Sequence, residues 1–214
     1  MLFPDALAKL PGEKPLFIHY NGDSRVELSV ATFRNWVDKA ANLLEGLGVG
    51  LGDEVTIELA KTAPGHWATS VWVAATWQRG AVVVTSGGIA AIVAAGSTLR
   101  ADDTVVCSLH PLGLRNPDLP AGCLDFAEVL AEPDLHFAEP VSSFDRAWGD
   151  LTHGDIAAIT PRTTRAVFVD VSPGWEALSN LLVAPVLGGG STVSVTGAAE
   201  RVEEIAAQER AEFV

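Results

Sequence analysis

Positive charge is scarce in this sequence and unevenly spread. Among 214 residues, 27 Asp and Glu stand against 14 Lys and Arg, a net charge of −13. Only Lys9, Lys14, Lys39 and Lys61 are lysines, so none follows residue 61. A chain this acidic, without a run of Lys or Arg, repels a phosphate backbone, which argues against a nucleic-acid partner. Cysteine is nearly missing. Cys107 and Cys123 form no metal or redox spacing and read as free thiols of a reducing cytosol. No basic segment precedes an apolar run at the N-terminus, so no secretory signal is expected. Residues 62–99 carry one charge, Arg79, but Thr85-Ser86-Gly87-Gly88 and Gly96-Ser97-Thr98 interrupt the stretch that follows it. A bilayer-spanning helix needs about 20 apolar residues, so no membrane segment is expected and the expected location is cytoplasmic.

The apolar side chains, 48% of the chain, suffice for one sizeable core. Their clearest spacing lies between Leu28 and Val84. Phe33, Trp36, Val37, Ala40, Leu43, Leu44 and Leu47 fall at steps of three and four and predict a helix. Ser29 is its expected N-cap and Gly48 its left-handed stop. Val55-Thr56-Ile57-Glu58-Leu59 reads as a strand. A second helix follows Pro64 and runs to about Gln78. Trp67, Val71, Trp72 and Trp77 point in nearly all directions there, as expected of a helix buried on both sides rather than of a ligand cage. Gly80 ends it, and Ala81 to Val84 reads as a buried strand. Before this stretch, Asn21-Gly22 between Leu16–Tyr20 and Arg25–Leu28 predicts a hairpin, with His19 at its surface.

After Val84, the glycine turn and Ile89–Ala95 read as a turn into a short helix, and Thr104–Leu109 as the next strand. The resulting β-α-β-α-β succession argues a parallel sheet. Five prolines break residues 110–150 into an irregular crossover with one short helix, Asp125–Leu130. His110, His136 and His153 are scattered too widely for a metal site and read as surface or capping residues. The last third resumes with strands at Ile156–Ile159, Ala166–Val171 and Thr192–Val195, and with helices at Glu176–Leu187 and Ala198–Arg210. The fold class is α/β: two β-α lobes with largely parallel sheets covered by helices. Lobe 1 spans about 1–109, the crossover 110–150 and lobe 2 151–214, all within one domain.

Several of these segments together resemble the opening of the adenylate-forming enzymes, which include the acyl-CoA synthetases. The segments are Ser29–Phe33, the helix to Leu47, Gly52-Asp53-Glu54-Val55, the Trp-rich helix and Gly80–Val83. A second match covers Trp175–Val195, where Leu181–Ser191 resembles the helix-to-strand step after that family's phosphate loop. In detail the chain most resembles short actinobacterial acyl-synthetase-like proteins. The resemblance implies a shortened N-terminal domain of two sheets sandwiched by helices. It places the family's ribose-binding aspartate and the C-terminal domain with its catalytic lysine beyond residue 214.

In that family, a Ser/Thr- and Gly-rich loop ending in Pro-Lys-Gly holds the ATP phosphates. Here the matching segment is Thr160-Pro161-Arg162-Thr163-Thr164-Arg165, without glycine or lysine. Thr160, Arg162, Thr163, Thr164 and Arg165 are the candidate anion-binding residues, with a solvated turn as the competing reading. The family's adenine-stacking Tyr-Gly-x-Thr-Glu motif has no match, and the sole tyrosine is Tyr20. No catalytic residue, metal site or resident cofactor is therefore expected, and ATP, AMP or acyl-CoA is not expected to be turned over. Three roles follow: a non-catalytic binding or interaction module, a nucleotide or acyl binder using this segment, or a synthetase subunit completed by a separate C-terminal partner. The partner, whether a protein or a small molecule, is not named by the sequence, and homo-oligomerisation stays open.

Overall fold

In the computed structural model, which describes residues 1–214, local signals set most element ends. A short helix, α1 (Phe3–Lys9), leads into the hairpin of β1 (Pro15–Asn21) and β2 (Ser24–Ser29). Asn21 pairs with Ser24, so the two turn residues are Gly22 and Asp23, with Gly22 at φ +54°. Ser29 accepts from the Thr32 amide and caps α2 (Val30–Gly46). Then come β3 (Glu54–Ile57), the single turn α3 (Leu59–Thr62) and α4 (Trp67–Gln78). Strands β4 (Val82–Val84), β5 (Ala90–Ala94) and β6 (Asp103–Cys107) follow. Residues 110–150 hold β7 (Leu124–Asp125), a 3₁₀ segment at Phe126–Ala131 and β8 (Arg146–Trp148). Next are β9 (Leu151–Thr152), α5 (His153–Ala157) and β10 (Arg165–Val169). Residues 175–188 form a helical rod of α6 (Trp175–Leu178), a π segment at Ser179–Val183 and α7 (Ala184–Gly188), ended by Gly189 at φ +73°. Strand β11 (Ser191–Thr196), α8 (Val202–Glu209) and β12 (Glu212–Phe213) complete the chain.

The strands form a five-stranded sheet in the order β12-β10-β11-β1-β2 and a seven-stranded sheet in the order β7-β6-β5-β3-β4-β8-β9. Only β2 and β9 run antiparallel to their neighbours, so both sheets are largely parallel, as expected. Sheet membership cuts across the expected lobes. The hairpin at residues 15–29 pairs through β1 with β11, and residues 146–152 add to the sheet of β3–β6. The reason lies in β1. Its burial is continuous from Leu16 to Tyr20, so it needs covering on both faces and a partner on its second edge.

Helix α4 lies between the sheets, touching β3 and β4 of one and β1 of the other, and packs along α2. Its eleven residues Trp67–Trp77 are all buried. Trp67, Trp72 and Trp77 are at most 1% exposed, and Trp36, Trp67 and Phe126 stack with ring centroids 5.1–5.9 Å apart. Each such ring contributes roughly 1.5–3 kcal/mol by leaving water, so the indoles are core. Helix α8 covers the outer face of the five-stranded sheet through Ile205 and Ala206. On the outer face of the seven-stranded sheet, Ala91, Val93 and Val106 are covered only by the loop residues Leu99, Ala101 and Cys123.

Two expected elements take the other form. Ile89–Ala95 is not a helix but contains β5, the strand that fills the gap between β3 and β6. Because β4 reaches β5 in five residues, Gly88 must pass directly over β3. A Cβ there would stand 2.5 Å from the Glu54 carbonyl oxygen. Residues 156–159 are not a strand, because Thr152 and Asp155 form a reciprocal capping box that starts α5. The irregular crossover is fastened to the helices by buried Arg79. Its guanidinium donates to the Val49 carbonyl and meets Glu139 and His136. His153 is buried and the His136 side chain is 3% exposed, so neither ring lies at the surface, and burial is the main cause of their lowered pKa values. Both cysteines are free, and no helix is long and apolar enough to cross a membrane.

Candidate functional site

The segment 160–165 does not gather its cations into one site. Arg162 points inward, between the five-stranded sheet and the rod 175–188. It donates to the Asn180 carbonyl at 2.7 Å and to Thr192 Oγ1 at 2.8 Å, and lies over the Phe168 ring at 5.1 Å. No carboxylate pairs with it, its Nε is buried without a partner, and burial lowers its pKa to about 10. Arg165 points to the opposite face of the sheet, the side of Val167 and α8. There it donates to Ser191 Oγ and to the Glu209 carboxylate at 3.3 Å. Glu209 also accepts from Tyr20 Oη at 2.7 Å and Arg25 Nε at 2.8 Å. Burial opposes its ionisation, yet these hydrogen bonds hold its pKa below the usual carboxylate range.

Two main-chain groups of the segment are also committed. The Arg162 amide donates to the Ala184 carbonyl at 2.8 Å, and the Thr164 carbonyl accepts from Ser191. Gly188 and Gly190 exist to admit this crossing: a Cβ at either would stand 2.5 Å or less from the Arg162 carbonyl oxygen. Thr160, Thr163 and Thr164 are exposed. A phosphate cradle needs several free amides converging on one point, and here the one amide flanked by both helix and sheet is already bonded.

A different place gathers more polar chemistry. A cavity of about 370 Å³ opens where both sheets present the C-terminal ends of their strands. Parallel α/β sheets characteristically bind ligands at that end. On the five-stranded side, Asn21, Thr196 and Asp170 follow β1, β11 and β10 in one row, with His19 beneath. Facing them are Thr62–His66, after β3 and α3, and Leu109, after β6. Gly65 makes the closest approach; a Cβ there would meet Ser194 Oγ at 2.6 Å. Two of the three non-glycine residues with positive φ line this cavity, Leu109 at +56° and Asp170 at +39°. Such backbone costs roughly 1–3 kcal/mol and concentrates at functional sites.

The histidines are the feature the sequence reading misplaced. His19 is 2% exposed and not at the hairpin surface; its ring stands 4.7 Å from that of His66, edge to face. His66 Nδ1 accepts from the Ala68 amide, capping α4, so its proton sits on Nε2 and is donated to the Leu109 carbonyl. His19 Nδ1 is buried and has no partner. Burial lowers the pKa of His19 to about 4 and that of His66 to about 3, so both rings are neutral near pH 7. The continuous apolar run Leu16–Tyr20, which marks a central strand rather than an edge hairpin, was the signal that could have placed His19 inside. No group of three or more His, Cys, Asp or Glu side chains is arranged to hold a metal ion.

The arrangement of two largely parallel sheets around buried helices is shared with part of several solved CoA-ligating enzymes. An acyl-CoA synthetase of Brucella canis superposes with a TM-score of 0.77 at 16% identity, over 100% of this chain and 47% of that one. Acetoacetyl-CoA synthetase of Streptomyces lividans gives 0.76 at 19% identity, over 100% and 42%. The anthranilate CoA ligase AuaEII, solved with anthranoyl-AMP, gives 0.69 at 18% identity, over 96% and 47%. At these identities the likeness is one of fold, and this chain spans less than half the length of each. No family model and no curated protein matches the sequence.

Proposed function

We propose that this chain is a non-catalytic, small-molecule-binding module of adenylate-forming fold, working in the cytoplasm, whose binding site is the cavity between the strand ends. The observation that supports this reading is the committed state of Arg162 and Arg165. Arg162 is locked across Gly188 and Gly190, and Arg165 faces the other way onto Glu209. Adenylation needs fixed cations and amides around the α-phosphate as charge develops. Loss of one such donor costs about 100- to 1,000-fold in rate. Here the lysine, the loop glycines and the adenine platform are missing together, so neither ATP nor acyl-CoA is turned over by this chain alone. The strained, polar cavity is the more favourable place for a ligand.

The test is carboxylate-dependent exchange of labelled pyrophosphate into ATP, across short, medium and aromatic acids. The expected result is no exchange above background. Robust exchange by the purified chain, lost on Arg162→Ala, would overturn the reading. Exchange that appears only when a second protein is added would favour a synthetase subunit instead.

A further inference from the structure

The cavity offers many hydrogen-bond acceptors and no cation. No Lys or Arg side chain lines it. Asp170 uses one carboxylate oxygen to accept from the Gly197 amide at 3.2 Å, which leaves the other for a ligand. Thr196 and Asn21 stand in register beside it and add a hydroxyl oxygen and an amide oxygen. At the floor, the neutral ring of His19 makes no hydrogen bond to the protein, with Nδ1 enclosed and unpartnered. His66 has both nitrogens engaged and presents only its ring. The two buried imidazoles therefore bring no positive charge, and Asp170 brings a negative one. Resting on the reading of this cavity as a binding site, we infer that it takes a small organic cation rich in N–H donors, an ammonium or guanidinium compound, and rejects phosphates and carboxylates. The ammonium or guanidinium meets the Asp170 carboxylate, a charge-assisted contact roughly twice as strong as a neutral one, and further N–H groups reach the oxygens of Thr196 and Asn21 above the His19 ring. An anion would face the Asp170 carboxylate with no cation to offset its charge. The net charge of −13 adds long-range attraction for the same class of ligand. A volume of about 370 Å³ is at the small end for ligand pockets and suits a small molecule.

Four probes separate the outcomes when titrated into the full chain: agmatine as the cation, sorbitol as a neutral polyol, and AMP and acetate as anions. The readouts are the imidazole NMR resonances of His19 and His66 and the melting temperature. Agmatine is expected to move the His19 resonances and raise the melting temperature. Asp170→Asn, a residue type that tolerates positive φ, is expected to weaken agmatine at least tenfold without changing the melting temperature of the free protein. AMP, acetate or sorbitol moving the His19 resonances at lower concentration than agmatine would overturn the cation assignment while leaving a binding module. Undiminished agmatine binding by Asp170→Asn would overturn it as well. Silence from all four probes would remove both the assignment and the cavity's role as a binding site.

Discussion

Replacing Gly188 with Ala would bring a methyl group to 2.3 Å from the Arg162 carbonyl oxygen, 2.5 Å from its carbonyl carbon and 2.6 Å from its nitrogen. All three are main-chain atoms, so no side-chain rotation relieves the overlap. Residues 161–163 must move by about 1 Å, since carbon and oxygen rest near 3.5 Å. That shift breaks the 2.8 Å bond from the Arg162 amide to the Ala184 carbonyl and loosens the guanidinium on Asn180. Overpacking of this kind costs about 1–3 kcal/mol, and a buried main-chain group left unpaired about 1–3 more. The expected loss is about 2–5 kcal/mol. For a chain of this size each kcal/mol moves the melting temperature by about 2–4 °C, so even the low end is measurable. Urea unfolding with fitted slopes is the assay. Gly46→Ala is the control: it lies in α2, is exposed, and a Cβ there meets nothing within 4 Å. It should be neutral or stabilise by up to about 1 kcal/mol. If Gly188→Ala matched the parent within about 0.5 kcal/mol at unchanged slope, residues 160–165 would be free to rearrange around a phosphate. Such a segment could then wrap a phosphate, and adenylation would be open to this chain.

Acid should destabilise the protein before its carboxylates titrate. His19 and His66 have folded pKa values of about 4 and 3, against roughly 6.5 unfolded, so below pH 6.5 the unfolded chain binds more protons. Their contribution is complete above about pH 6.5 and is lost as pH falls toward 4, at about 3 kcal/mol for His19 alone. His136 and His153 are shifted the same way. Urea midpoints from pH 7.5 to 4.5 should fall steadily, and His19→Gln should flatten the slope; a flat profile in the parent refutes the buried neutral pair. At the outer face, Glu209→Gln should cost about 1–3 kcal/mol, because the carboxylate accepts from Tyr20 and Arg25 and is 6% exposed. Arg165→Gln should cost less, its side chain being 27% exposed. Equal losses in urea unfolding would show that Glu209 is held by packing rather than by charge.

Elements governed by local spacing were legible in the sequence. Helix α2 has its Ser cap and a one-sided stripe, and α4 has no polar face at all, so each announced both its type and its depth. Elements decided by distant partners were not. Ile89–Ala95 is an uncharged run whose length suits helix or strand equally, and only the vacant position between β3 and β6 makes it β5. Residues 156–159 carried a readable signal, Thr152 three residues before Asp155, that a strand reading passes over. The phosphate-loop position was located by resemblance, but its side chains were not: Arg165 takes its face from β10, whereas Arg162, outside the strand, is directed inward by Asn180 and Thr192, partners far along the chain. The cavity was hidden because its walls, β1, the loop after α3 and the turn after β10, lie up to 150 residues apart.

The pairing of Phe17 with Thr192 has a consequence for biosynthesis. Strand β1 emerges from the ribosome long before β11, the strand that completes its second edge. At about 5–20 residues per second, translation of the intervening stretch takes roughly 10–30 s. Throughout that interval, a strand buried on both faces in the finished protein has only its hairpin partner β2, which is too little sheet to be stable in water. The nascent chain therefore carries an unsatisfied sheet edge until β11 is made. Its yield in the cell should depend on chaperone capacity more than the stability of the finished molecule suggests.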